Sequence, residues 1–409
     1  LMLPIGSILG IILLTRIAGK VRSYEKYTVP EIIGDRYGPV ARNLSVFALV
    51  MAYMVIVSYQ YNAGGAVLYT ILADNTGTSI ISIELATIIA AVFIIAYTML
   101  AGLLSVAYTD AANSIIMTLT LIISLPILWI KAGSWSGMET AFAAMNKSQH
   151  MQFGGVYSAM DIINFCLPPF LLVIGDANMY QRFSASKDVQ SARYSTTILV
   201  FAVLFIELLI IASAWVSSSM IPEAEVGKHV LIYAAHQFLP TFLGAIMLTT
   251  IVGIIISTAD SFLLVPANTL IRDIYLNYIN PQASEKNIVR LSRFLVLLLG
   301  IIAYIVSIGF SKSAGFFERA LYAYTIYGAA ITPALVAALF WRGATKEGAV
   351  ASIICGTLIT LFWKELPGLW FWLPTEWYIS LDEVLPAISG SLLALIGVSY
   401  LTQKADPGK

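Results

Sequence analysis

Charged residues are scarce in this sequence. Asp, Glu, Lys and Arg together make up 11% of its 409 residues, whereas they make up about 25% of an average soluble domain. Hydrophobic residues reach 59%, and the mean hydropathy is +0.84. This composition excludes a water-soluble globular domain and indicates a protein that crosses a membrane several times.

Cysteine and histidine are also rare. The two cysteines, Cys166 and Cys355, lie in apolar segments, where they give neither a disulfide framework nor the spacing of metal ligands. The three histidines fall in predicted loops and form no zinc motif. No nucleophile–base set is visible, and a formal net charge of +0 without a basic stripe gives no sign of a nucleic-acid partner. We therefore expect neither an enzyme nor a nucleic-acid-binding protein.

Long apolar runs dominate the rest of the chain. Only bundled helices or closed barrels satisfy their backbone groups in lipid, and runs of about 20 apolar residues favour helices. The sequence predicts an all-α polytopic bundle of about eleven spans, with one transmembrane domain over residues 1–409. The predicted spans are 3–19, 43–72, 79–103, 107–131, 159–182, 190–220, 240–277, 287–309, 314–341, 346–366 and 382–402.

The distribution of lysine and arginine predicts the orientation of these spans. Most of these cations fall on one side of the membrane if the loop at 20–42 is placed inside. Cytoplasmic loops carry an excess of Lys and Arg. We therefore expect a multi-pass protein of the plasma membrane with an external first residue and a cytoplasmic C-terminus.

The most informative polar stretch is ISTADS at 256–261, inside an apolar span. Ser257, Asp260 and Ser261 are spaced i, i+3, i+4 and so share a helix face, with Thr258 beside them. Ionisable groups at membrane depth mark functional sites, and clustered oxygen ligands suit a small hard cation. The alternative is that the hydroxyls bond back to their own helix.

Several motifs together resemble the solute:sodium symporter family, which takes up proline, sugars and similar solutes. They occur in family order over nearly the whole chain. The motifs are YTVPE at 27–31, DRYG at 35–38, GLLSVAYTD at 102–110, QRF at 181–183, ISTADS at 256–261, DIY at 273–275 and LFWR at 339–342.

The resemblance implies the LeuT-type transporter fold, in which two inverted repeats of five helices hold their sites at the bilayer midplane. On that map the span 3–19 is the second helix of the first repeat. The first, broken helix and a peripheral helix ahead of it have no counterpart in this sequence. The single domain is therefore expected to be truncated at its N-terminus relative to the family.

The resemblance also implies where sodium, the coupling ion, binds. Ser257 and Thr258 would supply hydroxyls to a main sodium site and Ile254 a carbonyl. Asp110 matches an aspartate that helps form a second sodium site in some members, here with Ser257, Asp260 and Ser261. The alternative for Asp110 is a carboxylate that caps the N-terminus of its helix.

Solute-binding residues are implied on three spans. The apolar run of the span 159–182 is interrupted at 175–178, two turns after Pro168-Pro169, and a helix broken there binds solute in this fold. The alternatives for Asp176 are a pair with Arg182 or a half-helix cap, and packing is the alternative for the tyrosines. The resemblance places Asp176 and Asn178 at the pocket and a solute contact near Thr325, which lies beside Tyr324 and Tyr327. Gln60 is a further candidate, because an unpaired amide in lipid is costly.

The function predicted from these features is sodium-coupled symport of a small polar organic solute by alternating access. Its partners would be the solute, sodium and the lipid bilayer. Two other functions remain open. A passive channel or facilitator would use the same oxygens to line a leak, and a sensory module would bind solute for a signalling protein.

Overall fold

The computed structural model describes residues 2–73, 79–100, 103–152, 157–221, 229–310, 316–363 and 381–403. Almost all of them are helical, and the extended pairing among them is limited to an isolated bridge between Ala73 and Ser79. The predicted all-α class is confirmed.

Sixteen α-helices are described. They are α1 (Met2–Ser23), α2 (Val29–Tyr37), α3 (Pro39–Ile71), α4 (Ile83–Leu100), α5 (Leu103–Lys131), α6 (Ser134–Ala144), α7 (Ala159–Gly175), α8 (Ala177–Ser184), α9 (Val189–Ser218), α10 (Val230–Gln237), α11 (Thr241–Thr269), α12 (Glu285–Phe310), α13 (Phe316–Ala330), α14 (Thr332–Phe340), α15 (Lys346–Phe362) and α16 (Val384–Gln403). A π-helical stretch, Leu270–Ile279, continues α11.

Ten helical stretches in the described part of the chain are long and apolar enough to cross a membrane. They match ten of the predicted spans to within several residues. The remaining prediction, 346–366, corresponds to α15, which has 17 residues. Residues 364–366, which would complete that span, lie outside the described part of the chain.

The chain divides into two compact units. Unit 1 comprises Leu1–Ile56, Ala159–Phe201 and Phe262–Lys409, and unit 2 comprises Val57–Ser158 and Ala202–Ser261.

In unit 1, α1 packs along α7, α13 packs against α7 and α15, and α15 lies against α16. The loop after α1 leads into α2 at Thr28, whose hydroxyl accepts a hydrogen bond from the Glu31 N–H at 3.0 Å. The same hydroxyl donates to Oδ2 of Asp273 at 2.7 Å, and Arg42 lies 3.6 Å from Oδ1 of that carboxylate. Because Asp273 is only 1% exposed, these contacts fix the loop to the first turn of the π-helical stretch.

In unit 2, the C-terminal half of α3 packs closely on α4. A Cβ at Gly65 would clash with the backbone and hydroxyl of Thr87, so glycine allows the two backbones to approach. Small residues permit this kind of packing between helices in membranes, where apolar burial alone gives little driving force. Gly65 is therefore explained by the close packing of α3 on α4.

Candidate functional site

The predicted site residues that come together form two polar clusters, one in each unit. In unit 1, α7 ends at Gly175 and α8 begins at Ala177, so the predicted break in this span is confirmed. Carbonyls at a helix end lack partners within the helix. Here the Tyr327 hydroxyl donates to the Gly175 carbonyl at 2.7 Å, and the Thr332 hydroxyl donates to that of Leu171 at 2.8 Å. The break is thus stabilised by hydroxyls from other helices.

Asp176 occupies this break and accepts three hydrogen bonds on Oδ1. The donors are the Tyr53 hydroxyl at 2.8 Å, the Asn178 N–H at 3.1 Å and the Asn178 side-chain amide at 3.1 Å. The bond from the Asn178 N–H makes Asp176 the N-cap of α8. The capping alternative is therefore realised, and the same carboxylate also holds two polar side chains.

Tyr53 completes the cluster in unit 1 and is absent from the residues predicted from the sequence. It is fully buried on α3, stacks on Tyr327 with a centroid distance of 5.4 Å, and meets the Phe262 edge at 4.5 Å. A tyrosine inside an apolar run gives no signal by itself, but the high cost of an unpaired buried hydroxyl indicates a polar partner. Asp176 is that partner.

Three other predicted solute residues form none of the hydrogen bonds described for the Asp176 cluster. Thr325 is buried, and its hydroxyl donates to the Leu321 carbonyl of its own helix at 2.9 Å. Tyr324 lies partly buried on the same helix, α13. Gln60 is 9% exposed and belongs to unit 2. The structure thus brings together Asp176, Asn178 and Tyr327 among the predicted set.

In unit 2, the Ser257 hydroxyl of α11 donates a hydrogen bond to Oδ1 of Asp110 on α5. The two helices also meet where the Asn113 amide donates to the Gly253 carbonyl at 3.3 Å. Asp110 lies two turns inside α5, whose first turn contains no acidic residue, so the helix-cap alternative is not realised. The back-bonding alternative does not hold for Ser257 either.

Asp260 lies one turn after Ser257 on α11 and is 1% exposed. Its Oδ1 accepts a hydrogen bond at 2.5 Å from the hydroxyl of Thr98 on α4. Its Oδ2 is buried and has no hydrogen-bond partner among the described residues. The Thr98 hydroxyl also lies 2.8 Å from the Ile94 carbonyl, so its single proton is shared between the two acceptors. Thr98 was not predicted, because a threonine within reach of a carbonyl of its own helix has no distinct sequence signal.

The other predicted cation ligands lie on the same stretch of α11. Ile254, Thr258 and Ser261 are all partly buried, and their participation stays a prediction. Within the described residues, no group of three or more His, Cys, Asp or Glu side chains is arranged to hold a metal ion. The cluster instead combines carboxylates with hydroxyls, and such oxygen ligands suit a hard cation rather than a transition metal.

Comparison with known proteins decides the family. The model of the sodium:solute symporter family matches residues 1–356. The chain belongs to the sodium:solute symporter family. Its members are transporters rather than enzymes, and sodium-coupled solute symport is the activity of this family, with Na⁺ as the coupling ion.

Curated relatives match most of the chain. The sodium/proline symporter of Haemophilus influenzae is 26% identical, over 95% of this chain and 78% of the relative. The high-affinity proline transporter PutP of Bacillus subtilis is 25% identical, over 95% and 80%. The sodium/glucose cotransporter of Vibrio parahaemolyticus is 25% identical, over 83% and 67%.

Solved structures confirm the predicted fold. A substrate-bound, outward-open Na⁺-coupled sialic acid symporter matches with a TM-score of 0.75 at 15% identity, over 98% of this chain and 83% of that one. The nucleobase-cation-symport-1 family transporter Mhp1 matches with a TM-score of 0.60 at 10% identity, over 98% and 86%. The chain therefore has the LeuT-type transporter fold and is a multi-pass membrane protein.

Proposed function

We propose that Asp110, Ser257 and Asp260 of this symporter bind the coupling sodium, with Ile254, Thr258 and Ser261 as further ligands. The buried Oδ2 of Asp260, which lacks a described hydrogen-bond partner, carries the proposal. An unsatisfied buried polar atom costs about 1–3 kcal/mol, and a charged one costs more. A sodium ion beside Oδ2 removes that cost.

The arrangement of Asp110 and Ser257 supports the same site. Their hydrogen bond joins α5 to α11, and the carboxylate of Asp260 lies one turn further along α11. Two like charges held in one apolar region repel each other. A bound cation relieves this repulsion, and the Ser257 hydroxyl can turn to offer its lone pair to the ion. Sodium is thus favoured by both charge and ligand chemistry.

We propose that the solute binds at the break between α7 and α8, against Asp176, Asn178, Tyr53 and Tyr327. All described hydrogen bonds to the Asp176 carboxylate end on Oδ1. Their donors are uncharged, so these bonds orient the carboxylate but do not neutralise its charge. A carboxylate favours a solute with an amino group or vicinal hydroxyls over a simple monocarboxylate.

An amino acid such as proline is the first candidate for the solute, because several relatives are named sodium/proline symporters. A sugar is the second, since another relative is named a sodium/glucose cotransporter. Gln60, Tyr324 and Thr325 are proposed as further solute contacts.

The proposed mechanism is alternating access in one transport domain of the plasma membrane, with a cytoplasmic C-terminus. A membrane potential of 100 mV contributes about 2.3 kcal/mol per charge, and a tenfold sodium gradient adds about 1.4 kcal/mol. One sodium ion therefore supports about 500-fold accumulation of a neutral solute under these conditions. By linkage, bound sodium and bound solute raise each other's affinity by the same factor.

Uptake by proteoliposomes tests this function. The protein is reconstituted, an inward sodium gradient is imposed, and internal labelled proline, glucose and lactate are measured against the external concentration. Sodium-dependent accumulation above the external level is expected for proline or glucose. Flux that stops at equal concentrations would identify a facilitator instead, and solute binding without any flux would identify a sensory module.

A further inference from the structure

An apolar groove of about 560 Å³ opens on unit 1, separate from the residues of the Asp176 cluster. Its walls come from α1, α7, α14 and α16, and Leu13, Val336, Ala337, Leu392 and Ile396 are among its lining residues. Four side chains of its wall are 39% to 52% exposed (Leu13, Phe340, Leu392 and Ile396). The groove is therefore open along its length, as a site for an apolar chain would be.

A basic pocket of about 220 Å³ continues this groove and shares Phe340 and Trp341 with it. Its cations are Lys20, Arg36 and Arg342. The guanidinium of Arg36 donates to the Arg342 carbonyl at 2.6 Å, and the Lys20 ammonium lies 4.4 Å from the centre of the Phe340 ring. These contacts hold the side chains of Arg36 and Lys20 at the end of the groove.

One stripe of α1 connects the two cavities. Tyr24, in the turn after α1, lines the basic pocket. On α1 itself, Leu13, Arg16 and Ile17 line the groove and Lys20 lines the pocket. The i, i+3, i+4, i+7 spacing of these four residues places them on a single helix face. At 1.5 Å per residue, Leu13 and Lys20 are about 10 Å apart along the axis. The site thus changes from apolar to cationic along one continuous surface.

The charge of this surface is one-sided. The charged side chains among the described lining residues are Arg16, Lys20, Arg36 and Arg342, and none of these lining residues is Asp or Glu. Two acidic residues near them in the sequence form ion pairs with other cations. Asp35 lies 3.1 Å from Lys26, and Glu347 lies 3.4 Å from Lys346. The positive charge of the pocket is therefore available to an anion.

We propose that the groove and pocket together bind one anionic phospholipid. An acyl chain would lie along Leu13 and Ile396, and the phosphate would contact Lys20, Arg36 and Arg342. Basic pockets between transmembrane helices on the cytoplasmic side suit anionic head groups, and the predicted orientation places this end of α1 there. The aromatic rings of Tyr24 and Trp341 fit the boundary between tail and head group.

Lipid binding to the purified protein tests the head-group contact. Phosphatidylglycerol and phosphatidylcholine with identical acyl chains are titrated separately, and the bound lipid is measured by native mass spectrometry. Phosphatidylglycerol is expected to bind more tightly. Since each nearby cation contributes about fivefold (~1 kcal/mol), Lys20→Gln with Arg342→Gln should weaken phosphatidylglycerol binding about 25-fold and leave phosphatidylcholine unchanged.

The matched control removes the same charge elsewhere. Arg290→Gln with Arg293→Gln changes two exposed cations at the start of α12 and should leave lipid binding unchanged. Equal affinities for the two lipids, or equal losses in the two double variants, would overturn the proposal.

A second variant tests the apolar part. Val336→Phe fills space in the groove and should weaken the binding of both lipids, while glycerol phosphate in molar excess should fail to displace phosphatidylglycerol. Displacement by glycerol phosphate would show a phosphate site rather than a lipid site. If another segment of this protein filled the groove, no lipid would be retained and Val336→Phe would change nothing, which would also overturn the proposal.

Discussion

The hydroxyl of Ser257 donates a hydrogen bond to Oδ1 of Asp110 across 147 positions of sequence. This contact links a carboxylate on α5 to the polar face of α11, where Asp260 lies one turn further on. The hydroxyl and both carboxylates belong to unit 2. Sodium binding and the stability of this helix contact should therefore be affected by the same substitutions.

Ser257→Ala should raise the sodium concentration for half-maximal uptake about tenfold, since a hydrogen bond or ligand contact to a charged group is worth about 1.5–3 kcal/mol. Thr249→Ala is the matched control, because this hydroxyl lies on the same helix and donates to the Ala245 carbonyl of that helix at 2.8 Å. Uptake against sodium concentration measures both. The same sodium dependence in the two variants would remove Ser257 from the site.

Asp260→Ser should change the number of charges moved per solute, because it removes one of two interacting carboxylates. Asp110→Asn should change it as well if both carboxylates serve one cation site. Current and solute flux, recorded together in proteoliposomes, give the charge-to-flux ratio. A ratio equal to that of the unmodified protein in both variants would argue against a shared site.

Asp176→Asn should reduce solute affinity and leave sodium binding largely intact. Asparagine is as good a helix N-cap as aspartate, so the substitution removes the charge while the cap of α8 is kept. Asp176→Ala is the comparison that also removes the cap, and it should cost about 1 kcal/mol of stability. Solute and sodium binding are measured separately on purified protein.

Two results would contradict the role of Asp176. Normal solute affinity in Asp176→Asn would exclude the carboxylate from the solute site. Poor folding with loss of both solute and sodium binding would favour the structural pair with Arg182.

Arg42→Ala should destabilise the protein by about 3 kcal/mol, since it leaves the buried Asp273 carboxylate without its ion-pair partner. The matched control is Lys26→Ala, which breaks the exposed pair with Asp35 and should cost less than about 1 kcal/mol. Thermal unfolding in detergent measures both. Adding Asp273→Asn to Arg42→Ala should recover part of the lost stability. Equal melting temperatures for Arg42→Ala and Lys26→Ala would contradict a stabilising ion pair between Arg42 and Asp273.

The sequence by itself determined the membrane spans, the break in the span 159–182 and the polar patch on the span 240–277. These features depend on signals that act over a few residues. Apolar runs set helix length, the polar residues at 175–178 interrupt one such run, and i, i+3, i+4 spacing places Ser257, Asp260 and Ser261 on one face. The family motifs are local in the same sense.

The tertiary structure alone decided which side chains meet. Thr98 and Asp260 are 162 positions apart, and Tyr53 and Asp176 are 123 positions apart. Helix periodicity gives the face of each residue but neither the neighbouring helix nor its register. A threonine that only bonds back to its own helix, as Thr325 does, has the same local sequence signal as Thr98, which also reaches a buried carboxylate. Packing between helices separates the two cases, because it alone brings a second polar group within hydrogen-bond distance.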